Sequence, residues 1–579
     1  MSEPAFRVER NILVPLGDGT RLAADLYLPE GDGAFPTLVS FYPYRKDDII
    51  GSFSEYPRRY LVAAGYAHLL VDVRGYGGSE GDSVESMDPR PEGRDAAEVV
   101  EWAAAQQWSN GAIAVWGVSY GGLVAFAAAA ERPPHLKAIA PVYGFSDIQG
   151  DAIAPGGVSW CLGRYHREVV MLAQELAPPS YQDDDGRWLD VWRGRLARVE
   201  ANGPWSLRWP DHPGADDPYW RERTIELGRI DVPTLLVAGW RDLFPEVMTR
   251  AFAEIPAQCR LVVGPWLHVP PDLGPEPYDW LDELRAFFDE HVCGRAPGEQ
   301  RAPVTVFVQG VGGGWRDLER WPPAEAEAHT WHPGPARSLG AAARAGSDSY
   351  EAVASVGTAA GLLDPLGLGV GFPGDQGADD LRSLAYTGEP LEEPLTIAGS
   401  PELHVVVVVE QGGPVDLAVR LVDVHPSGAA ELITSGYRNI DGGGEALVSL
   451  AATAYRLPAG HRLRLALACA DFPKMWPTPQ PATIRIDLAA TELRVPVVAD
   501  VPGKPASVTP PRAVAERAPW SLGGASDWRV ERALVEGTTA VTVAGGEDLH
   551  TAAGARVSMR NRATASVADA APGGAKVEA

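Results

Sequence analysis

A serine hydroxyl becomes a nucleophile when a histidine can take its proton and a carboxylate can hold that histidine in place. Two pentapeptides in this chain set a serine between glycines: Gly117-Val118-Ser119-Tyr120-Gly121 and Gly77-Gly78-Ser79-Glu80-Gly81. Their surroundings differ. The apolar run Ile113 to Trp116 leads into Ser119, and the helix-forming stretch Leu123 to Glu131 leaves it. A strand, a tight turn and a helix in that order hold Oγ at the carboxyl edge of a sheet, and flanking glycines let backbone approach closely. After Ser79 the segment Asp82 to Pro91 holds two prolines and no apolar stripe, so Ser79 reads as a loop residue.

Behind such a turn the acid and the base follow in the order Ser, Asp, His, from loops at the same sheet edge. Strand Val232 to Val237 feeds Ala238-Gly239-Trp240-Arg241-Asp242, and strand Arg260 to Val263 feeds Gly264-Pro265-Trp266-Leu267-His268. Asp242 and His268 therefore stand just past the carboxyl ends of two strands, in the required order. The competitors sit elsewhere: Asp231 and His135 precede strands, His68 lies within one, and His291 ends a helix. His166 is the one rival that position does not exclude. Two donors must also meet the developing oxyanion. One is the Tyr120 N–H. The other has to come from Tyr42-Pro43-Tyr44-Arg45-Lys46, which holds no glycine-rich run. A tyrosine hydroxyl is then the candidate, and the bare sequence does not separate Tyr42 from Tyr44.

The elements that must position these groups follow from periodicity. Short apolar runs (Pro36 to Phe41, His68 to Val73, Ile113 to Trp116, Ala138 to Val142) alternate with helical stretches (Glu55 to Ala64, Arg94 to Gln107, Gly121 to Glu131), the signature of a parallel α/β sheet. Residues 146–229, rich in Pro, Asp and Trp, break the pattern and predict an inserted helical cap. The sheet resumes over 230–300, with an amphipathic helix from Tyr278 to His291. From 301 to 560 short strands such as Val304 to Val308, Leu403 to Val409, Leu417 to Val424 and Leu463 to Leu467 predict an all-β sandwich or jelly roll. Residues 561–579, rich in Ala and Gly, read as a flexible tail.

Composition narrows the partners. With 45% apolar and 22% charged residues the chain is ordinary globular material, and a net charge of −27 makes nucleic acid or an anionic membrane a poor partner. Cys161, Cys259, Cys293 and Cys469 are too far apart for a zinc site or a disulfide framework. The N-terminus has no apolar leader and no stretch of about 18 apolar residues occurs, so a cytoplasmic protein is expected. Oligomeric state is left open, a homodimer included. Tryptophan (18) outnumbers phenylalanine (13), and Trp160, Trp188, Trp192, Trp205, Trp209 and Trp220 all fall in the insertion. Most should anchor its small core. One or two, led by Trp160, should join Trp240 and Phe244 in an apolar pocket.

Taken together, these motifs resemble the cocaine esterase and X-Pro dipeptidyl-peptidase family of serine hydrolases. The resemblance lies in Val71-Asp72-Val73-Arg74-Gly75, in the Ser119, Asp242 and His268 segments, in Tyr455 to Arg464 and in Asp471-Phe472-Pro473. It implies an α/β-hydrolase domain, a helical cap and a galactose-binding-like jelly roll. Ser119 matches the nucleophile, Asp242 the acid and His268 the base. Tyr44 matches the tyrosine whose hydroxyl completes the oxyanion hole with the Tyr120 N–H. Cleavage of a small carboxylic ester through an acyl-enzyme is then expected, without metal or organic cofactor. A dipeptidyl-peptidase acting on short peptides is the alternative. It needs buried carboxylates for an ammonium group, and Asp147, Asp151 and Glu246 are the candidates. A non-catalytic carbohydrate-binding protein is the reading from another class.

Overall fold

The computed structural model describes residues 6–48, 55–82, 87–212, 214–296, 298, 300–361, 371–500, 502–511, 527–550 and 556–579. Its first sheet is built from β1 (Phe6–Pro15), β2 (Arg21–Pro29), β3 (Phe35–Tyr42), β4 (Ala67–Asp72), β5 (Ser109–Val118), β6 (Leu136–Val142), β7 (Thr234–Gly239), β8 (Cys259–Gly264), β9 (Val304–Val308) and β10 (Gly314–Leu318). The strand order is β1-β2-β4-β3-β5-β6-β7-β8-β9-β10, with Lys504–Pro505 on the far edge. From β4 across to β9 every neighbouring pair is parallel.

Parallel strands need both faces covered, which is why their sequences are apolar runs without alternation. Successive side chains still point to opposite faces. Val39, Phe41, Val71, Val115 and Leu236 pack with helices α2 (Pro89–Ala104), α3 (Tyr120–Ala130) and α6 (Pro245–Glu254). Leu38, Ala114, Trp116, Leu235 and Val262 pack with α1 (Glu55–Ala63) and α7 (Trp280–His291) on the other face. Helix α3 is apolar all round and almost wholly buried, the mark of a helix at the centre of a domain.

The order β4-β3-β5-β6 contains a reversal. The chain passes from β3 outward to β4, then returns across β3 to β5 and runs outward on the opposite side to β6. The crevice past the carboxyl ends of β3 and β5 is where such folds bind ligands. Tyr44 follows β3 and Ser119 follows β5.

Between β6 and β7 the chain leaves the sheet as a helical insertion. Its neck is closed by a bridge between Asp147 and Thr224 and by the Ile225 N–H donating to Ser146 O. Within it lie α4 (Leu162–Leu176) and α5 (Arg187–Asn202). Trp205, Trp209 and Trp220 are buried edge to face as its small core, with centroids 4.8 and 6.1 Å apart.

Two expectations about the second half need correction. Val304–Val308, read as the first strand of the all-β region, pairs in parallel with β8 and extends the first sheet. It follows α7, so β8, α7 and β9 form one more strand–helix–strand unit. The all-β region proper begins at the strand Glu327–Gly334, and its sheet of 13 strands is almost wholly antiparallel. Leu403, Val405 and Val407 point inward with period two and meet Leu417, Val419, Leu421, Leu463, Leu465 and Leu467 in one core.

The expected tail at 561–579 is ordered sheet. Asp527–Ala533, Thr538–His550, Arg556–Ala568 and Ala571–Glu578 form a four-stranded antiparallel sheet. Its Ala- and Gly-rich composition hides a period-two pattern: Val541, Val543, Ala563, Ala565 and Val567 are buried against Cys161, Leu162 and Phe472. No described helix is long and apolar enough to cross a membrane.

Candidate active site

Ser119 occupies the turn between β5 and α3 with φ 60° and ψ −118°, a backbone conformation that L-residues rarely adopt. The turn is that tight because its glycines allow it. A Cβ on Gly117 would lie 2.5 Å from Gly121 C, and one on Gly122 would lie 2.8 Å from Gly144 Cα. The Ser119 N–H donates to Val142 O at 2.9 Å, tying the turn to β6. Ser119 is half-buried and lines a cavity.

The ends of β7 and β8 bring the other two groups together. His268 Nδ1 lies 2.6 Å from Asp242 Oδ1, and both side chains are buried. The Phe244 N–H donates to Asp242 Oδ2 at 3.1 Å, so both carboxylate oxygens are held. A Nδ1–H bonded to a carboxylate leaves Nε2 as the basic nitrogen of the ring. Among the described residues His268 Nε2 is buried without a hydrogen-bond partner. Tyr143 and Phe244 flank the imidazole, with ring centroids 5.3 and 5.9 Å away.

Two of the rival histidines have other partners. His68 is fully buried between Ser40 Oγ at 3.2 Å and Trp116 Nε1 at 3.0 Å. His135 pairs with Glu101 at the surface. The side chain of His166 lies outside the described residues. Ser79 is fully buried, donates to Asp72 O at 2.7 Å and accepts from the Ala23 N–H at 2.8 Å.

Tyr44 lines the same cavity as Ser119, whereas Tyr42 is the last residue of β3, paired in register with Asp72. The loop carrying Tyr44 is pinned at several points. Asp72 accepts from the Lys46 N–H at 2.7 Å and from the Gly78 N–H at 2.9 Å. Lys46 Nζ reaches Asp25 at 2.8 Å and Asp47 at 2.6 Å, and Arg45 donates into the insertion at Gln174 O. Burial pushes the Asp72 carboxyl up to about 7, partly offset by the Lys46 charge. Tyr120 heads α3, where backbone N–H groups point out of the helix end. Its ring is locked behind the site: the hydroxyl donates to Glu92 and accepts from the Met87 N–H. Burial raises Glu92 well above the usual carboxylate range.

The cavity wall contains Trp160 and Phe244, two of the three expected pocket residues. Trp240 is not among them. Its indole N–H donates to Phe307 O at 2.7 Å and its ring packs on Trp321 at 5.2 Å, so it anchors β7 to β9 instead. It faces a neighbouring cavity with Asp242 and Arg241. Sequence reasoning missed Met87, Phe145 and the charged side chains Arg164, Arg167 and Glu168, which line the cavity together with Trp209, one of the six insertion tryptophans. The three charges recur at i, i+3 and i+4 along α4, a spacing that shares one helix face.

Of the carboxylates expected to hold an ammonium, Asp147 accepts from the Gln149 and Gly150 N–H groups. Asp151 accepts from Ser146 and Asp147 and pairs with Arg250 at 2.9 Å. Burial pushes Glu246 up to about 7. None of the three lines the cavity. One group with metal-like spacing, Asp423, His425 and His461, sits in the all-β domain. There Asp423 is already engaged by His461 at 2.8 Å and the Tyr455 hydroxyl at 3.1 Å.

Comparison with known proteins places this geometry in a lineage. Residues 18–270 match the X-Pro dipeptidyl-peptidase (S15 family), and residues 298–530 match the X-Pro dipeptidyl-peptidase C-terminal non-catalytic domain. The cocaine esterase of Rhodococcus sp. is 29% identical, covering 82% of this chain and 92% of its own. A putative serine esterase of Mycobacterium bovis is 28% identical, covering 81% of this chain and 91% of its own. An α-amino acid ester hydrolase of known structure shares the fold, with a TM-score of 0.70 at 21% identity over 86% of this chain and 97% of the other. The strands from Thr538 onward lie beyond both matched family stretches.

Proposed function

The chain belongs to the X-Pro dipeptidyl-peptidase (S15) family of serine hydrolases, and on that premise we propose that it hydrolyses carboxylic esters through Ser119, His268 and Asp242. His268 Nε2 takes the Ser119 proton as Oγ bonds to the ester carbonyl carbon. The carbonyl electron pair moves onto oxygen, where the Tyr44 hydroxyl and the Tyr120 N–H donate to it. Collapse of this intermediate expels the alcohol, protonated by His268, and leaves an acyl-serine. Water then repeats the two steps with His268 as base, releasing the acid. Asp242 holds the Nδ1–H tautomer and stabilises the imidazolium.

The observation that carries this reading is the buried His268–Asp242 pair, Nδ1 2.6 Å from Oδ1, past the ends of β7 and β8 at the sheet edge where Ser119 follows β5. An ester is favoured over an X-Pro peptide because Asp147 and Asp151 are committed to local backbone and Arg250. The four free cysteines suit a reducing compartment such as the cytoplasm. The test is turnover of 4-nitrophenyl hexanoate together with labelling by a fluorophosphonate. Both should be lost in Ser119→Ala. Unaltered turnover in that variant would remove Ser119 from the reaction.

A further inference from the structure

Among the described residues, the cavity beside Ser119 carries an unbalanced charge. Its wall is otherwise apolar or aromatic, with Phe145, Trp160, Trp209, Leu243 and Phe244, yet α4 directs two guanidinium groups and one carboxylate into it. Arg167 and Glu168 pair with each other at 2.9 Å. Arg164 makes no hydrogen bond or ion pair with any described residue. It lies over aromatic surface, its Cζ 4.4 Å from the Trp209 ring centroid. Burial pulls its pKa below the ordinary guanidinium value, with the Glu168 charge acting the other way. A partly desolvated cation with no ion-pair partner among the described residues is unfavourable, and a ligand carrying an anion would relieve it. A guanidinium stacked on a ring still presents its N–H edge, and that edge matches a carboxylate in two parallel hydrogen bonds.

We propose that the enzyme selects esters whose acyl group ends in a carboxylate, bound by the Arg164 guanidinium where it lies against Trp209. This deepens the Ser119 hydrolase reading and rests on it. The selected substrate is the half-ester of a dicarboxylic acid. Its ester carbonyl sits at Ser119 and its far carboxylate at α4. An ammonium in that position would meet Arg164 directly, with Glu168 already taken by Arg167.

Three 4-nitrophenyl esters of equal acyl length test this: the hexanoate, the monoadipate and the 6-aminohexanoate, which end in a neutral, an anionic and a cationic group. In the wild-type protein kcat/KM for the monoadipate should exceed that for the hexanoate by roughly tenfold or more, the range expected of a charge-assisted pair. The 6-aminohexanoate should be the poorest of the three. In Arg164→Gln the monoadipate advantage should vanish, and in Arg164→Glu the aminohexanoate should become the better charged substrate. Rates are taken per fluorophosphonate-reactive serine, so a partly folded variant does not distort the ratios. The wild-type ranking stands even if a variant fails to fold. A wild-type preference for the hexanoate or the aminohexanoate overturns the proposal, as does a ratio unmoved by Arg164→Gln. So does a preference seen only when the anion is on the leaving group, as in 4-acetoxybenzoate against phenyl acetate. Failure to turn over any of the esters in a Ser119-dependent way would instead overturn the hydrolase reading beneath it.

Discussion

The chain contains the same five-residue pattern twice, and the two copies do opposite things. Ser119 stands in a strained turn beside an open cavity, with β5 feeding it and a buried apolar helix leaving it. Ser79 has no accessible surface, and its hydroxyl is used twice, toward Asp72 O and from the Ala23 N–H. The second serine is not idle. Its loop and the Tyr44 loop share one clasp, since Asp72 accepts from Gly78 on one side and from Lys46 on the other. One serine lines the cavity as the proposed nucleophile, and the other helps to hold the loop that carries Tyr44, the proposed oxyanion donor. A hydroxyl's role is set by what surrounds it: the Ser79 proton is committed to Asp72 O, and no described base is bonded to its oxygen to take it.

Exchanging the expected phenotypes of the two serines would break that contrast. The largest effect belongs to Ser119→Ala, with kcat down by about 10³–10⁶-fold and thermal unfolding nearly unchanged. Tyr44→Phe comes next. Loss of one oxyanion donor should lower kcat by roughly 10²–10³-fold with little change in KM; equal rates would return the role to Tyr42 or to backbone alone.

A third prediction concerns the scaffold beneath His268. Glu283 on α7 is buried and would be raised by burial alone, but Arg260 of β8 and Arg301 hold it down at about 2, against an ordinary 4.5. A carboxylate depressed in the folded state stabilises above its unfolded pKa, and that contribution is lost as pH falls from about 4.5 toward 2. The linkage is worth about 3 kcal/mol. Urea unfolding followed against pH should show that acid limb in the wild type, and a shallower one in Glu283→Gln. An identical limb in both would assign acid lability to other groups.

The smallest effect sharpens the comparison most. Ser79→Ala strands the Ala23 N–H in the core, which costs about 1–3 kcal/mol, while fluorophosphonate labelling stays complete. A Ser79→Ala protein that is fully stable but inactive would invert the assignment of the two pentapeptides.

What the sequence disclosed follows the same division. Ser119, Asp242 and His268 were legible because each sits immediately past a strand whose apolar run is unmistakable, so backbone alone brings them to one edge. Trp240 was misread on the same logic: it too follows β7, but its indole turns toward β9, a direction that register does not specify. Val304–Val308 was assigned to the wrong sheet because a buried parallel strand and a sandwich strand have the same local composition. Arg164 was invisible for a further reason. On its own helix it is one polar residue among several, and its isolation becomes apparent only when Arg167 is seen bonded to Glu168 and Trp209 is brought up from 45 positions later. Contacts between distant segments carry no signature in either segment alone.

The backing of α4 bears on when this molecule becomes itself during synthesis. The segment that begins α4 is braced by backbone bonds from Cys161 and Leu162 to Lys474 and Pro473, and by the sheet whose last strand ends at Glu578. The sheet edge with Ser119, Asp242 and His268 is complete in sequence by Leu318. At 5–20 residues per second a ribosome needs roughly 10–50 s more to deliver the remaining chain. The selectivity proposed for Arg164 therefore rests on a brace that lies later in the sequence than the proposed triad.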